Sequence, residues 1–407
     1  MTNGSSRRSS VPTLCRIFAW VIPLVFVLFA PSRADAYTWM IRHSYTGCGI
    51  CHADPTGGEV LTAYGRAQSE LLLSMKWGKA DAAEPSGASN FIGLVELPPQ
   101  VMLGGSTRLA TTMKDGELRA FPMQMDLYGQ FRFGDFFMGG NAGAARVEVG
   151  SPHARAAQVT TGQGKVFNMI SRNHYLGLDL ADGSYTLRAG RLNLPFGIRI
   201  PEHTAQVREA TRTDRESDQQ HGLALAYSSE AARGEIMAIA GNYQINPDKY
   251  RERGYSFFFE IMALERTAIG LSSLYTFAKV DRTTLESNVA RGAHGGFLRT
   301  AIGDPFALLA EMNLLTDSTA ALGYVGFLQG DFELVQGVHA MATLELLNNG
   351  IPKASADLAP SPGLGEPQFG GWLSAAWFIF PHFDMRVDAM FRQSAPFTLL
   401  SQFHVYL

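Results

Sequence analysis

Between residues 123 and 133 the side chains alternate: Met123, Met125, Leu127, Gly129, Phe131 and Phe133 fall on one face, Gln124, Asp126, Tyr128, Gln130 and Arg132 on the other. A backbone whose side chains point to opposite sides at every step is a strand, here with one greasy and one polar face. Phe383, Met385, Val387, Ala389 and Phe391, opposed to Asp384, Arg386, Asp388 and Arg392, repeat the pattern near the end of the chain. Period two, broken by turns, runs through everything after a linker rich in Ala, Gly, Ser and Pro at 79–90. The chain is therefore restricted to antiparallel sheet, as a soluble sandwich or a barrel.

The turns discriminate between these. Sixteen candidate strands begin near Val101, Phe121, Asp135, Asn168, Ser184, His221, Gly234, Tyr255, Thr267, Ala293, Pro305, Thr319, Phe332, Phe369, His382 and Pro396. Connections after even-numbered strands are mostly tight, at Asp182-Gly183, Gly303-Asp304, Gly330-Asp331 and Pro381-His382. Those after odd-numbered strands are mostly long and polar, at 150–167, 194–220, 244–254, 279–290 and 348–368. Short turns on one rim and long loops on the other mark an all-β transmembrane barrel of about sixteen strands. No stretch of the mature chain is long and apolar enough for a membrane helix, so a membrane-embedded form must close its backbone hydrogen bonds as a barrel. The end of the chain agrees, since Phe403, Val405 and Leu407 alternate toward lipid, and the aromatic content of 11% supplies the girdles. Sixteen strands leave a wide lumen. Its assignable lining, Asp126, Arg132, Arg188, Asp384, Arg386, Asp388 and Arg392, is mixed in sign. With a net charge of −3, nothing points to nucleic acid or to a strongly selective anion channel.

Ahead of the strands lies Cys48-Gly49-Ile50-Cys51-His52. Cys-x-x-Cys-His is the order that covalent attachment of a c-type haem requires: two thiols bond the porphyrin vinyl groups and the adjacent histidine reaches the iron. Other readings stand beside it. A structural zinc site needs more ligands than are at hand, a thioredoxin-like pair needs a βαβ setting that is missing, and a plain Cys48–Cys51 disulfide stays open. No Ser-His-Asp signature or metalloprotease helix speaks for hydrolysis, and Gly57-Gly58 lacks the remainder of a phosphate loop, reading instead as a turn that brings Leu61 and Tyr64 back over the haem edge.

Arg7 and Arg8 precede an apolar run at 17–30, and Ala34-Asp35-Ala36 is a small-x-small cleavage site. Residues 1–36 are thus expected to be a signal peptide, 37–89 a monohaem segment with some helix, and 90–407 the barrel. Cleavage would remove Cys15 and leave the mature chain two cysteines.

This layout resembles the fused monohaem cytochrome-porins of bacterial outer membranes, including the iron-oxidising members. The likeness is concentrated in the run from Ile41 through His52 and in Leu61-Thr62-Ala63-Tyr64-Gly65-Arg66, which matches a Leu-Thr-x-x-Gly-Arg pattern. It departs at Asp54-Pro55-Thr56-Gly57-Gly58-Glu59, where iron-oxidising members commonly carry Phe-Pro. The resemblance implies one covalent haem c on Cys48, Cys51 and His52, passing electrons between an extracellular donor or acceptor and periplasmic cytochromes. A second local likeness, Gly190-Arg191-Leu192-Asn193-Leu194-Pro195-Phe196-Gly197-Ile198-Arg199, is to the strand end of porins whose next loop folds into the lumen. The charges that follow, Arg208, Arg212, Asp214, Arg215, Glu216 and Asp218, fit a constriction, a metal site or a solvated loop.

For the second axial position of the haem the candidates within the segment are Met40, His43, just before the motif, and Met75, at helical spacing from Leu72 and the first choice; His153, His174 and His221 stay open. Three functions follow: transmembrane electron transfer, extracellular Fe(II) being one donor; a diffusion porin for small solutes with a haem-bearing plug; and a soluble periplasmic haem protein.

Overall fold

The structure, a computed structural model, describes residues 38–45, 47–75, 97–145, 168–202, 204–350, 365–393 and 395–407. The expected signal peptide, the linker 79–90, the loop 150–167 with His153, and most of the loop 348–368 lie outside the described residues.

From residue 101 onward the chain is a closed antiparallel barrel. Its strands are β1 (Val101–Lys114), β2 (Glu117–Phe133), β3 (Phe136–Ala145), β4 (Asn168–Ile170), β5 (His174–Leu180) and β6 (Tyr185–Leu192). They continue as β7 (Gln220–Ser228), β8 (Ala232–Gly241), β9 (Arg253–Leu264), β10 (Thr267–Val280), β11 (Ser287–Ile302) and β12 (Phe306–Asp317). The last five are β13 (Gly323–Val335), β14 (Val338–Asn348), β15 (Gln368–Phe380), β16 (Phe383–Arg392) and β17 (Ala395–Tyr406). β4 and β5 both pair with β3 and form one stave, so the barrel has sixteen. It closes where β1 pairs with β17, Leu109 opposite Phe403. Closure leaves no sheet edge, as a backbone in hydrocarbon demands.

Register sorts the alternating residues. Leu109, Leu127, Phe133, Leu271, Leu344 and Leu373 are exposed on the outside, while Gln124, Asp126, Arg188, Asp388 and His404 are buried inside. An exterior this apolar, closed without edges, is the surface of a membrane-spanning barrel.

Short turns gather on one rim, at Gly134-Asp135, Glu265-Arg266, Gln336-Gly337 and Pro381-His382, together with the chain end; 193–219 and 242–252 leave the other. One expected turn is corrected. Gly330-Asp331 lies inside β13, paired with Leu308 and Ala307, and the reversal comes at Gln336-Gly337, so the next strand starts at Val338 and not near Phe332.

The lumen is filled from both ends. The loop 193–219 folds inward with a short helix, α2 (Gln206–Thr211). Leu194 and Phe196 join one apolar cluster on the wall, and Ile198, Ile200 and Val207 join another. Burying each such side chain contributes about 1.5–3 kcal/mol. Glu311 then accepts the Ile198 N–H at 2.8 Å and pairs with Arg208, and Glu345 accepts the Gln206 N–H at 2.7 Å. From the turn rim enters the N-terminal segment, a helical turn at Thr38–His43, α1 (Ala63–Gln68) and a wider turn at Ser69–Leu73. Met40, Ile41 and Leu73 pack on Ala268, Ala307 and Phe378 of the wall.

Candidate functional site

Cys48 to Arg66 is a compact double-backed loop. His52 N–H donates to Cys48 O at 3.0 Å, closing a turn through the motif. His52 bridges Leu61, and Ala53 N–H reaches Val60 O at 3.0 Å. The reversal between them is made by Gly57 and Gly58, with φ of 89° and 103°, values costly to residues with a Cβ.

The Leu-Thr-x-x-Gly-Arg run clamps that loop. Thr62 caps α1, its Oγ1 accepting the Gly65 N–H at 3.1 Å and donating to Ile50 O at 2.5 Å. Thr62 N–H donates to Cys51 O at 2.9 Å. Gly65 lies so close that a Cβ there would sit 2.3 Å from Cys51 O. Arg66 hydrogen-bonds Leu103 O of β1, tying the clamp to the wall.

The segment by which the chain departs from the iron-oxidising pattern anchors it in the lumen. Asp54 Oδ1 accepts from Thr56 N–H at 2.9 Å and from Arg188 Nη1 at 2.9 Å, and Oδ2 accepts from Asn193 at 3.1 Å. Burial acts to raise the Asp54 carboxyl, but Arg188 and Arg199 hold it below its usual range. Glu59 accepts from Tyr175 Oη at 3.0 Å and from Asn173. Burial, then the charge of Asp54, pushes Glu59 up to about 8. At the turn rim Arg42, fully buried, pairs with Asp331 at 2.6 Å and Glu333 at 3.2 Å.

Cys48, Cys51 and His52 line one side of a cavity of about 970 Å³, a volume that includes space continuous with solvent. Met40, Leu61 and Leu73 add apolar wall; Arg108, Tyr128, Arg199, Arg215, His404 and Tyr406 face it from barrel and inner loop. The arrangement fits a c-type haem on three counts. Cys48 and Cys51 are both buried and neither is in a disulfide in this structure, and Arg233 donates to Cys48 Sγ at 2.9 Å. His52 Nδ1 is buried with no hydrogen-bond partner among the described residues. Burial, then Arg215, pushes the His52 imidazole down to about 4, so it is held neutral, the form that ligates iron.

The other expected site residues are distributed differently. Met75 and His43 do not line the cavity: Met75 N–H bonds Phe378 O at 2.8 Å on the turn rim, and His43 faces Glu333 at 3.8 Å. Met40 does line it. His174 and His221 pair edge to face at 5.3 Å near the loop rim, outside it. Tyr64 turns outward to Tyr45, 3.2 Å between hydroxyls, while Leu61 alone of that expected pair lines the cavity.

The inner-loop charges are paired, Arg212 with Asp281 at 2.6 Å and Asp218 with Arg282 at 2.6 Å. Asp214 is pushed up to about 7 by burial and by Asp218 and Glu216. Among the described residues no group of three or more His, Cys, Asp or Glu is placed to hold a metal ion. The sequence reading missed His404, whose Nδ1 lies 2.8 Å from Asp384 and Nε2 3.0 Å from Ser106. The one signal was its inward register in the terminal strand.

A closed barrel of sixteen staves with an inward-folded loop defines the porin class of fold, and solved structures agree. The chain is similar to a loop L8 deletion mutant of OmpT, an outer-membrane protein of Vibrio cholerae, at TM-score 0.55 and 11% identity, over 75% of this chain and 99% of that one. It is similar to Salmonella typhi OmpF, in a complex with daunomycin, at 0.54 and 11%, over 75% and 97%. It is also similar to DcaP, an outer-membrane channel of Acinetobacter baumannii, at 0.51 and 11%, over 75% and 97%. No family model matches the chain, and no curated protein matches it in sequence.

Proposed function

We propose that this chain is a porin-type channel of the outer membrane, with its turns toward the periplasm and its loops outside, and that its N-terminal segment acts as a stopper. The observation that carries the reading is the lumen itself: a barrel of porin fold holding a segment fixed by Asp54–Arg188 and Arg42–Asp331. In planar bilayers the full-length protein should conduct ions weakly, with current rising when the stopper undocks. A protein that never conducts, at any pH, overturns it. Cleavage after residue 36 belongs to the same proposal, tested by a mature N-terminus at Tyr37.

A second reading is favoured by one further observation, the convergence of Cys48 and Cys51, neither in a disulfide, and a neutral His52 on the lumen cavity. In it the stopper carries one covalent haem c. Such a haem supplies a one-electron carrier whose potential and access the protein sets. Cys48 and Cys51 would hold it by thioether bonds and His52 would ligate the iron, while the wall screens it from lipid. Periplasmic cytochromes on one side and an extracellular metal or small redox molecule on the other, Fe(II) among the candidates, would be the partners. The test is the mass and visible spectrum of protein made in a host competent for cytochrome maturation. An unmodified polypeptide sinks this reading and leaves the channel standing.

A further inference from the structure

Most buried arginines of the lumen have a carboxylate at hand: Arg42 has Asp331, Arg172 has Asp126, Arg188 has Asp54 and Glu235, Arg208 has Glu311, Arg386 has Asp388. Two arginines lining the Cys48–Cys51–His52 cavity depart from this rule. Arg108 of β1 is 8% exposed and makes no hydrogen bond or ion pair among the described residues; its Nε is buried without a partner. Arg199, on the inner loop across the cavity, donates only to the carbonyls of Thr56 at 3.3 Å and Leu194 at 3.1 Å. A guanidinium has five N–H donors, so these contacts leave three of them without a partner, and its charge is offset only by the nearby Asp54, which Arg188 already engages directly. Arg215 joins them on the cavity wall, with Glu216 at 3.5 Å.

Burying a guanidinium without a counter-charge is expensive, and a chain that pairs most of its lumen arginines with carboxylates is not indifferent to that cost. Among the described residues Glu59 is the one acidic side chain lining the cavity, and it is occupied by Tyr175 and Asn173. Burial, then Asp54, raises Glu59 to about 8, so near neutrality it carries a proton and adds no counter-charge for Arg108 or Arg199.

We infer that Arg108 and Arg199, with Arg215 at the margin, form a binding site for the carboxylates of a ligand seated in this cavity. The ligand's anionic groups take charge-assisted hydrogen bonds from guanidiniums on two sides. Two sources have this chemistry: the paired propionates of a haem held at Cys48 and Cys51, which rests on the second reading above, and a free carboxylate or phosphate entering the lumen.

The test compares Arg108→Gln, Arg199→Gln, the double variant and Arg108→Lys in the full-length protein, with barrel insertion checked by heat-dependent gel migration. In haem-bearing protein, removing a cation beside the propionates lowers the reduction potential: each Gln variant falls, the double falls further, and Arg108→Lys stays near the parent. In a haem-free Cys48→Ser/Cys51→Ser background, succinate and inorganic phosphate are the probes. A several-fold loss of their current block in the Gln variants assigns the site to free anions. That result stands even if the parent never carries haem, in which case the haem reading fails and the site survives. A potential and an anion block that are both unchanged overturn the inference.

Discussion

Arg188 of the barrel wall donates to Asp54 of the N-terminal segment at 2.9 Å, and both side chains are 1% exposed. One contact thus joins the stopper to a mid-barrel position, and its burial makes it costly to break from one side. Arg188 also reaches Glu235 at 2.7 Å, so losing Asp54 leaves the arginine half compensated.

Removing one partner of a buried pair costs about 3–5 kcal/mol. Asp54→Ala is therefore expected to raise the undocked fraction of the segment by on the order of a hundredfold or more. Single-channel recordings should show larger open events, and added protease should cut near Gly57 faster. Unchanged current and unchanged cleavage would mean that the segment is held elsewhere.

Docking should depend on pH through Glu59. In the docked segment its carboxyl is pushed up to about 8 by burial and by Asp54, against an ordinary value of 4.5 when released to water. The docked state binds the proton more tightly, so this contribution is fully present below pH 4.5 and lost as pH rises through about 8. Conductance should grow over that window. Glu59→Gln should flatten the dependence; a profile that rises toward acid would have the wrong sign.

Gly65→Ala tests the clamp on the haem motif. The added Cβ meets Cys51 O at 2.3 Å, and a backbone atom cannot step aside cheaply. Overpacking of this kind costs about 1–3 kcal/mol, so roughly tenfold faster maleimide labelling of Cys48 and Cys51 is expected in haem-free protein. Labelling at the parent rate would show that the loop is not fixed by α1.

What was legible in the sequence follows from which forces act locally. Lipid outside and polar lumen inside impose period two on every stave, so strands near Val101, Thr267 and Phe369 could be read within a residue or two. Gly330-Asp331 has the residues of a turn, yet Asp331 points inward to Arg42, 289 positions away, and that partner keeps the strand running. The anchoring roles of Asp54 and Glu59 were not legible for the same reason, since Arg188 and Tyr175 meet them only after the barrel has closed. The cavity-lining arginines were hidden still deeper. Arg108 sits at an inward position of β1, and what marks it out is that its buried Nε has no partner among the described residues.

The inner loop should act on the channel separately from the stopper. Glu311 holds it twice over, accepting the Ile198 N–H at 2.8 Å and pairing with Arg208 of α2, and its other oxygen takes the Asn313 amide at 2.8 Å. In Glu311→Gln the amide oxygen can still serve Arg208 and the Ile198 N–H, but the NH2 faces the Asn313 amide and the arginine charge is left buried and uncompensated. The apolar packing of Ile198, Ile200 and Val207 still favours the folded-in position, so the loop should loosen and not leave. Open-channel noise and mean current are expected to increase. The combination with Asp54→Ala should be close to additive in free energy, because the two carboxylates share no partner. Strong non-additivity in the recordings would instead show that loop and stopper move as one body, coupled where Arg199 donates to Thr56 O.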